Sequence, residues 1–406
     1  MSFPQRRAAF AAFVALLLVT AGCSGGPAPT STATTPSITT TTAATPTTTP
    51  AAPTTTATGN WSPHVSEEQY PPGVADNGTL ANVTALLDAH VAATANRTTR
   101  FTVEWTTGED SFYRSYTRGA SPTPYYSVFN RTTDGERTTE RVYGTGSQDY
   151  ARVTVDDETV YPVLQNTTAD AAGLSAWTEA GAFGPRTELA GVLSSGNYSV
   201  DGTVERGGRT LVQLTAEQPA PARCAACASY RGTVLVTPEG VVHDVEASYT
   251  TESDGERTHT EVSITVDTDA ELPGPLPWMA DVPQLSIAIV EDGHAVEIRN
   301  TGGAALPANA TFDVFGATEP VRKPSVSQMP GDATGTVTTD SRLEPGDAVY
   351  VTAGADGDAS SFALHDEPAR GEYTFGFAGL TGTPENVYYR LATGLDPGQA
   401  DQRAEN

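Results

Sequence analysis

The sequence predicts a mainly β protein: a helix-plus-curved antiparallel sheet that stays open as a half-barrel, followed by a smaller β-sandwich. Two patterns predict this fold class. Between residues 100 and 267, ten segments alternate large apolar or aromatic residues with polar ones, as strands with one buried face do. From residue 284 to residue 394, seven shorter alternating segments follow with Gly, Pro and Asp between them, which is typical of a sandwich.

Two helical patterns accompany the first set of strands. Residues 79–96 repeat apolar residues at helical spacing, and so does a stretch at about 175–194. We expect both helices on the concave side of the sheet, where incomplete coverage would leave an apolar cavity. The inward row that would line this cavity comprises Phe101, Val103, Trp105, Tyr113, Tyr126, Val128, Val142, Val153, Leu214, Val234, Val236, Val245, Tyr249 and Ile264. The alternative is that these side chains only fill the core.

The N-terminus has the features of a secretory signal. Residues 1–22 hold a basic start with Arg6 and Arg7, an apolar run too short to span a membrane, and small residues before Cys23. Val19–Cys23 resembles a lipobox, the pattern that is cut before a cysteine that receives lipid. We therefore predict that Cys23 anchors the mature protein to membrane lipid on the cell exterior. The alternatives are an uncleaved apolar anchor and a buried core thiol.

A Thr/Pro-rich segment follows the predicted lipid anchor. Residues 23–60 contain almost no large apolar side chains, so we expect a disordered stalk. The chain also carries more N-x-S/T sequons than chance would give its eleven asparagines. The glycosylation candidates are Asn60, Asn77, Asn82, Asn96, Asn130, Asn166, Asn197 and Asn309. Stalk and sequons together predict an exported glycoprotein.

The chain is strongly acidic, with 49 Asp and Glu against 23 Lys and Arg and a formal net charge of −26. Among the basic residues only Lys323 is a lysine. This composition resembles that of proteins from salt-loving archaea, where molar salt shortens the screening length to about 3 Å. The negative charge and the lack of a basic patch argue against nucleic acid as a partner.

Cys224 and Cys227 form a C-x-x-C motif between a Pro/Ala-rich loop and a strand pattern. In an exported chain this spacing favours a local disulfide. A metal half-site and a redox motif are the alternatives, although a redox motif needs a strand followed by a helix.

The sequence shows no pattern typical of an enzyme. It contains no G-x-S-x-G elbow, phosphate-binding glycine loop or dinucleotide fingerprint, and its six histidines are scattered. The acidic loop at 355–361 lacks the ligand spacing of an EF-hand. We therefore expect a protein that is not an enzyme and uses no metal or cofactor.

The strand pair at Arg231–Val245, after an opening helix and a run of strands, resembles the lipoprotein-carrier superfamily that includes LolA, LolB and LppX. The leader, stalk and opening helix are similar to those of lipid-anchored surface lipoproteins of halophilic archaea. In the second region, VEIRNTGGAAL and LEPGDAVYVTA resemble strand motifs of immunoglobulin-like modules. The carrier resemblance implies a half-barrel whose concave face holds an acyl or isoprenoid chain.

These observations predict a domain order and a function. The predicted domains are a signal peptide (1–22), the lipidated cysteine and stalk (23–60), a half-barrel (61–281), an immunoglobulin-like sandwich (282–396) and a tail (397–406). The predicted function is a non-catalytic, membrane-anchored lipoprotein that binds or carries an apolar ligand, a lipid or isoprenoid. The alternative is a structural or adhesive envelope glycoprotein without a ligand cavity, with an envelope protein as its partner.

Overall fold

The computed structural model describes residues 61–63, 65–66, 69–121, 123–165, 185–253, 255–321, 329 and 331–395. The predicted signal peptide, Cys23, the stalk, Asn60, Asn166 and the predicted tail lie outside these residues, as does the first half of the second predicted helix. Within the described ranges, no helix is both long enough and apolar enough to cross a membrane.

Strands dominate the described part of the chain. The first region consists of β1 (Trp61–Ser62), α1 (Val83–Thr94), β2 (Thr99–Thr107), β3 (Asp110–Arg118), β4 (Tyr125–Thr133), β5 (Glu136–Gly144), β6 (Gln148–Val155), β7 (Glu158–Gln165), α2 (Pro185–Ser195), β8 (Ser199–Arg206), β9 (Arg209–Ala216), β10 (Cys227–Val236), β11 (Val242–Ser253) and β12 (Glu256–Asp267). The second consists of β13 (Gln284–Val290), β14 (Ala295–Gly302), β15 (Thr311–Ala317), β16 (Ala333–Thr338), β17 (Ala348–Thr352), β18 (Ala363–His365), β19 (Phe377–Gly382) and β20 (Val387–Thr393). Short 3₁₀ helices lie at Pro277–Asp281, Glu291–Gly293 and Ala359–Ser361.

The strands form one large sheet and one small sheet. The large sheet has sixteen strands in the order β1-β8-β9-β10-β11-β12-β2-β3-β4-β5-β6-β7-β20-β19-β15-β16, and the small sheet has the order β13-β14-β17-β18. The large sheet ends at β1 and β16 and does not close into a barrel. The predicted fold class, a mainly β protein with a large curved open sheet and a smaller sheet, is confirmed.

Both helices pack on one face of the large sheet, which we call the helix-side face. Leu86 and Leu87 of α1 and Leu189 and Leu193 of α2 are at most 3% exposed and share a core with β2 and β8 to β12. Full burial of each leucine contributes about 1.5–3 kcal/mol. Asn82 caps α1, because its Oδ1 accepts a hydrogen bond from the Ala85 N–H at 3.1 Å.

The small sheet covers part of the opposite face of the large sheet, which we call the outer face. Tyr143, Tyr150 and Val163 on the outer face share a core with Leu285 and Val296 of the small sheet. The Gln148 side chain reinforces this contact by donating a hydrogen bond to the Leu285 carbonyl. A single apolar core therefore spans the predicted boundary between residues 281 and 282.

A parallel strand pair also joins the two regions. Strand β20, close to the C-terminal end of the described chain, pairs with β7 in parallel, with Val387 opposite Tyr161 and Tyr389 opposite Val163. The Tyr389 hydroxyl donates a hydrogen bond to the Pro283 carbonyl at 2.7 Å. The large sheet thereby continues from the first predicted domain into the second.

Two elements differ from their predicted extents. The first helix begins at Val83 and not near Thr79, because Thr79 and Leu80 form β-bridges with Ser199 and Val74. Strand β7 lies where the sequence analysis placed no strand. Its Pro162 lowers the strand signal, since proline removes a backbone donor from a sheet.

Candidate ligand-binding face

The candidate site lies on the helix-side face beyond the two helices, across β2 to β6. Side chains of residues paired directly across antiparallel strands point to the same face. The register places Val103, Arg114, Phe129, Glu140 and Val153 in one row on β2, β3, β4, β5 and β6. A cation, an aromatic ring and a carboxylate thus sit side by side between apolar residues.

Three aromatic rings form a ladder along this face. The Trp105 and Phe112 ring centroids are 6.4 Å apart and those of Phe112 and Phe129 are 5.2 Å apart, both in edge-to-face geometry. Trp105 is 37% exposed, while Phe112 and Phe129 are partly exposed. The ladder therefore presents apolar surface to solvent at the margin of the helix-packed core.

Arg114 lies behind the ladder and is 2% exposed. Its guanidinium carbon is 5.2 Å from the Phe112 ring centroid, within the range of a cation–π contact. An Arg114 guanidinium nitrogen is 3.9 Å from a carboxylate oxygen of Glu188 on α2. Burial lowers the pKa of Arg114 to about 10, with Glu188 and Glu140 acting in the opposite direction. The arginine therefore stays charged and links α2 to the aromatic ladder.

Glu188 and Glu140 are the two carboxylates whose charges raise the pKa of Arg114. Burial raises the pKa of Glu140 to about 7, although Arg114 opposes the shift. Burial also raises the pKa of Glu188, again against the effect of Arg114. Near neutral pH the partly exposed Glu140 can therefore take up or release a proton.

A second polar pair lies further along the same face. The Tyr125 hydroxyl donates a hydrogen bond of 2.8 Å to Asp149 Oδ1, and both side chains are buried. Burial raises the pKa of Asp149 to about 7, and the Tyr125 hydrogen bond opposes the shift. Gly144, directly across the strand from Tyr125, leaves room for the tyrosine ring, since a Cβ there would lie 1.8 Å from Cε1 of the ring.

Beyond these polar groups the helix-side face becomes apolar again. Ala151, Val153 and Val155 are buried together, with Val142 and Val160 packed against them. This valine cluster is separate from the core under the helices. From β2 towards β7, the helix-side face therefore carries the aromatic ladder first, then the charged residues, and then the valine cluster.

A small cavity lies among the described residues under the helices. This cavity has a volume of about 10 Å³, and its lining consists of His90, Thr94, Thr99, Phe101, Tyr116, Pro185 and Val266. A cavity of this size holds about one water molecule. His90 is 2% exposed and its Nδ1 accepts a hydrogen bond from the Val242 N–H at 3.2 Å. Burial, with His243 and Arg118 nearby, lowers the His90 pKa to about 4, so the ring is neutral.

A second pocket, of about 210 Å³, lies at the junction of the two regions. Its lining includes Tyr161 of β7, Tyr389 of β20, Asp281 and Glu385. It lies on the outer face, away from the aromatic ladder, because Tyr161 and Tyr389 share that face with Val163.

The structure divides the predicted inward row into groups. The residues buried in the core under the helices are Phe101, Val103, Leu214, Val234, Val236, Val245 and Ile264, with Tyr249 packed against them. Val142 and Val153 belong to the valine cluster, and Trp105 begins the aromatic ladder. Eleven of the fourteen residues thus share the helix-side face.

The assignment of the other three residues to the inward face is wrong. Tyr113 pairs with Glu104 and Asn130, Val128 pairs with Ser115 and Arg141, and Tyr126 pairs with Thr117 and Tyr143, all on the outer face. A shift of one residue moves a side chain to the other face of a sheet. The helix-side residues of β3 and β4 are instead Phe112, Arg114, Tyr116, Tyr125, Ser127 and Phe129.

Aromatic doublets explain this error. Phe112 and Tyr113 are adjacent, and so are Tyr125 and Tyr126, so alternation alone cannot decide which member points inward. Arg114 and Glu140 were missed because charged residues at strand positions are usually assigned to solvent. The signal that would have found them is the shared parity of Phe112, Arg114 and Tyr116.

The structure joins Cys224 and Cys227 in a disulfide, with Cα atoms 5.2 Å apart. Among the described sequons, Asn77, Asn82, Asn96, Asn197 and Asn309 are exposed, whereas Asn130 is half-buried on the outer face. Whether any of them carries a glycan stays a prediction. In the described ranges, no three His, Cys, Asp or Glu side chains are placed to hold a metal ion.

The sequence matches no protein-family model and no curated protein. Among solved structures, it is similar to MucB in complex with the periplasmic part of MucA, at 13% identity and a TM-score of 0.19 over 70% of this chain and 91% of that one. It is also similar to the MucA/MucB complex of Pseudomonas aeruginosa, at 12% identity and a TM-score of 0.20 over 79% and 96% of the two chains. MucB alone gives 13% identity and a TM-score of 0.21 over 65% and 94%. At such TM-scores the superpositions are loose.

Proposed function

We propose that this protein is a non-catalytic lipoprotein, anchored outside the cell through Cys23, that binds an elongated apolar ligand such as a lipid or isoprenoid chain on its helix-side face. The aromatic ladder of Trp105, Phe112 and Phe129 supports the proposal most. Partly exposed aromatic rings in contact with one another are an apolar surface that a ligand would remove from water.

The order of groups on the face fits a chain-like ligand. An apolar chain lying across the strands from Trp105 would contact Phe112 and Phe129 and then Val142 and Val160, the partly exposed members of the valine cluster. Arg114 supports the ladder from behind and, at 2% exposure, does not itself reach the ligand. Glu140, which keeps some exposed surface, would meet a polar group on the ligand.

The anchor and the binding face have consistent roles. A lipidated cysteine would hold the protein at a membrane that contains the same class of ligand. One acyl chain gives marginal membrane binding and two give stable attachment, at about 0.8 kcal/mol per buried methylene. The predicted stalk would then let the folded part move relative to the membrane surface.

One observation favours the alternative, a structural or adhesive envelope glycoprotein. Among the described residues under the helices, the cavity beside His90 holds about one water molecule and is too small for an acyl chain. On this alternative the aromatic ladder would be ordinary surface, and the protein would carry no ligand.

Native mass spectrometry of the mature protein separates the two functions. The protein is purified at high salt from its own membrane and exchanged into volatile buffer. The proposal expects an added mass of a lipid or isoprenoid beyond the covalent anchor, and expects Phe129→Glu to lose it. Tyr113→Glu makes a similar change at a partly exposed aromatic residue on the outer face of the same sheet, so it is the matched control and should retain the ligand. Wild-type protein without an added mass would support the alternative.

A further inference from the structure

The outer face of strands β3 to β7 carries arginines and no acidic residue, although the chain as a whole is strongly acidic. Its residues alternate with those of the helix-side face, and the register identifies nineteen described positions between Ser111 and Val163. None of these nineteen is Asp or Glu, and three are arginines: Arg137, Arg141 and Arg152. Since 49 of the 406 residues are acidic, nineteen average positions would hold about two carboxylates.

Two of the arginines are direct neighbours. Arg141 and Arg152 are cross-strand partners on β5 and β6, so their side chains leave the sheet side by side. Like charges directly opposite each other destabilise a sheet pair. No ion pair joins either arginine to a carboxylate in the part of the chain that the structure describes. An opposite charge from outside the chain would offset this repulsion.

The surroundings of the pair are open and partly apolar. The small sheet covers Tyr126, Tyr143 and Tyr150, which lie at one end of these strands. Away from it, Arg137 and Arg141 are exposed, while Tyr113, Val128 and Arg152 are partly exposed. We call these five residues the arginine face. Tyrosine and arginine are the residues that most often dominate binding at protein–protein interfaces.

We infer that the arginine face is a docking surface for an acidic partner protein, which places carboxylate side chains against Arg141 and Arg152. The arginine fork suits carboxylates, and Tyr113 and Val128 supply the apolar contact that surrounds such pairs at an interface. The net charge of −26 repels every polyanion, so a protein whose acidic patch is confined to one side fits this face better than a nucleic acid or an anionic bilayer, which are negative over their whole surface. The docking surface lies on the opposite side of the sheet from the proposed ligand face and does not depend on it.

The test uses the full mature chain and an immobilised poly-L-glutamate probe. Binding is measured in 1 M NaCl, where the screening length is about 3 Å and only contacting ion pairs persist. The double variant Arg141→Glu with Arg152→Glu should bind about tenfold more weakly or worse. The control, Arg97→Glu with Arg223→Glu, changes two exposed arginines elsewhere and the net charge equally, and should bind like the wild type.

A second pair of variants and competing probes complete the test. If the charge-reversed variant does not fold, Arg141→Gln with Arg152→Gln replaces it, and the same loss is expected. Equal loss in the control pair, no binding of poly-L-glutamate by the wild type, or Arg141-dependent binding of dextran sulfate or phosphatidylglycerol vesicles in its place would overturn the inference. So would glycopeptide analysis showing full glycan occupancy of Asn130, which lies beside Tyr113 on this face.

Discussion

The Tyr125 hydroxyl lies 2.8 Å from Asp149 Oδ1, and each residue is at most 5% exposed. The pair belongs to the helix-side face, in the cross-strand row that runs from Arg118 through Gly144 at the strand ends opposite Phe112. A carboxyl group in this position has a raised pKa because burial disfavours its charged form. The stability of the protein should therefore respond to pH through this pair.

We expect Asp149→Asn to stabilise the protein at pH 8 relative to pH 5. The pKa of Asp149 is about 7 in the folded protein against an ordinary value of 3.8, so between these values the folded state holds a proton that the unfolded state has lost. The protonated Asp149 carboxyl group contributes up to about 4 kcal/mol of stability. This contribution is complete below pH 4 and is lost as pH rises to 7. Denaturant unfolding of wild type and variant at both pH values measures the difference. An identical pH dependence in the two proteins would show that Asp149 is ionised when folded.

His90 should give the stability of the protein a pH dependence of the opposite sign. Its pKa is lowered to about 4, so between pH 4 and 6.5 the unfolded state binds a proton that the folded state does not. The stability supplied by the neutral ring is present above pH 6.5 and falls as pH drops to 4, by about 3 kcal/mol. His90→Gln should remove this loss on acidification, whereas His259→Gln, at an exposed position, should leave it unchanged. Equal acid sensitivity in wild type and His90→Gln would contradict the buried, neutral histidine.

Gly144→Ala should destabilise the protein by about 1–3 kcal/mol, the usual range for overpacking. The new Cβ would lie 1.8 Å from the Tyr125 ring and force the ring away from Asp149. Gly191→Ala in α2 is the matched control, because no heavy atom lies within 4 Å of its new Cβ. That substitution should raise stability by about 0.5–1 kcal/mol through helix propensity. Thermal unfolding of both variants measures these changes. An unchanged midpoint for Gly144→Ala would mean that Tyr125 does not occupy the space above residue 144.

The two regions should unfold in one transition. Tyr143, Tyr150 and Val163 share a core with the small sheet, and β7 pairs with β20, so separating the two regions would expose this shared core. Tyr389→Phe, which removes the hydrogen bond to Pro283, should lower the single midpoint with a loss of about 1 kcal/mol. Tryptophan fluorescence and circular dichroism should give coincident curves. Two separate transitions, only one of them shifted by Tyr389→Phe, would show that the regions are independent domains.

The sequence was informative where a strand has a single buried face. Val234, Val236 and Val245 alternate with polar neighbours, and their common core follows from that period. Alternation was not sufficient at Phe112-Tyr113 and Tyr125-Tyr126, where both neighbours are aromatic and the register across strands decides which ring points inward.

Long-range pairing was the other part that the sequence could not predict. The parallel contact between β7 and β20 joins residues more than 200 positions apart, and no local pattern encodes such a partner. The charge cluster of Arg114 with Glu140 and Glu188 has the same origin, because α2 brings Glu188 to a strand pair far from it in sequence. The candidate site therefore depends on tertiary structure more than the helix-packed core does.

Quenching of Trp105 by a brominated fatty acid tests the proposed ligand face most directly. The chain has four tryptophans, so one variant keeps only Trp105 and a matched variant keeps only Trp61, which is 53% exposed on the edge strand β1. The proposal expects saturable quenching of Trp105, weakened by Phe129→Glu, and no saturable quenching of Trp61. Equal quenching of both tryptophans, or none at Trp105, would contradict an apolar ligand on the helix-side face.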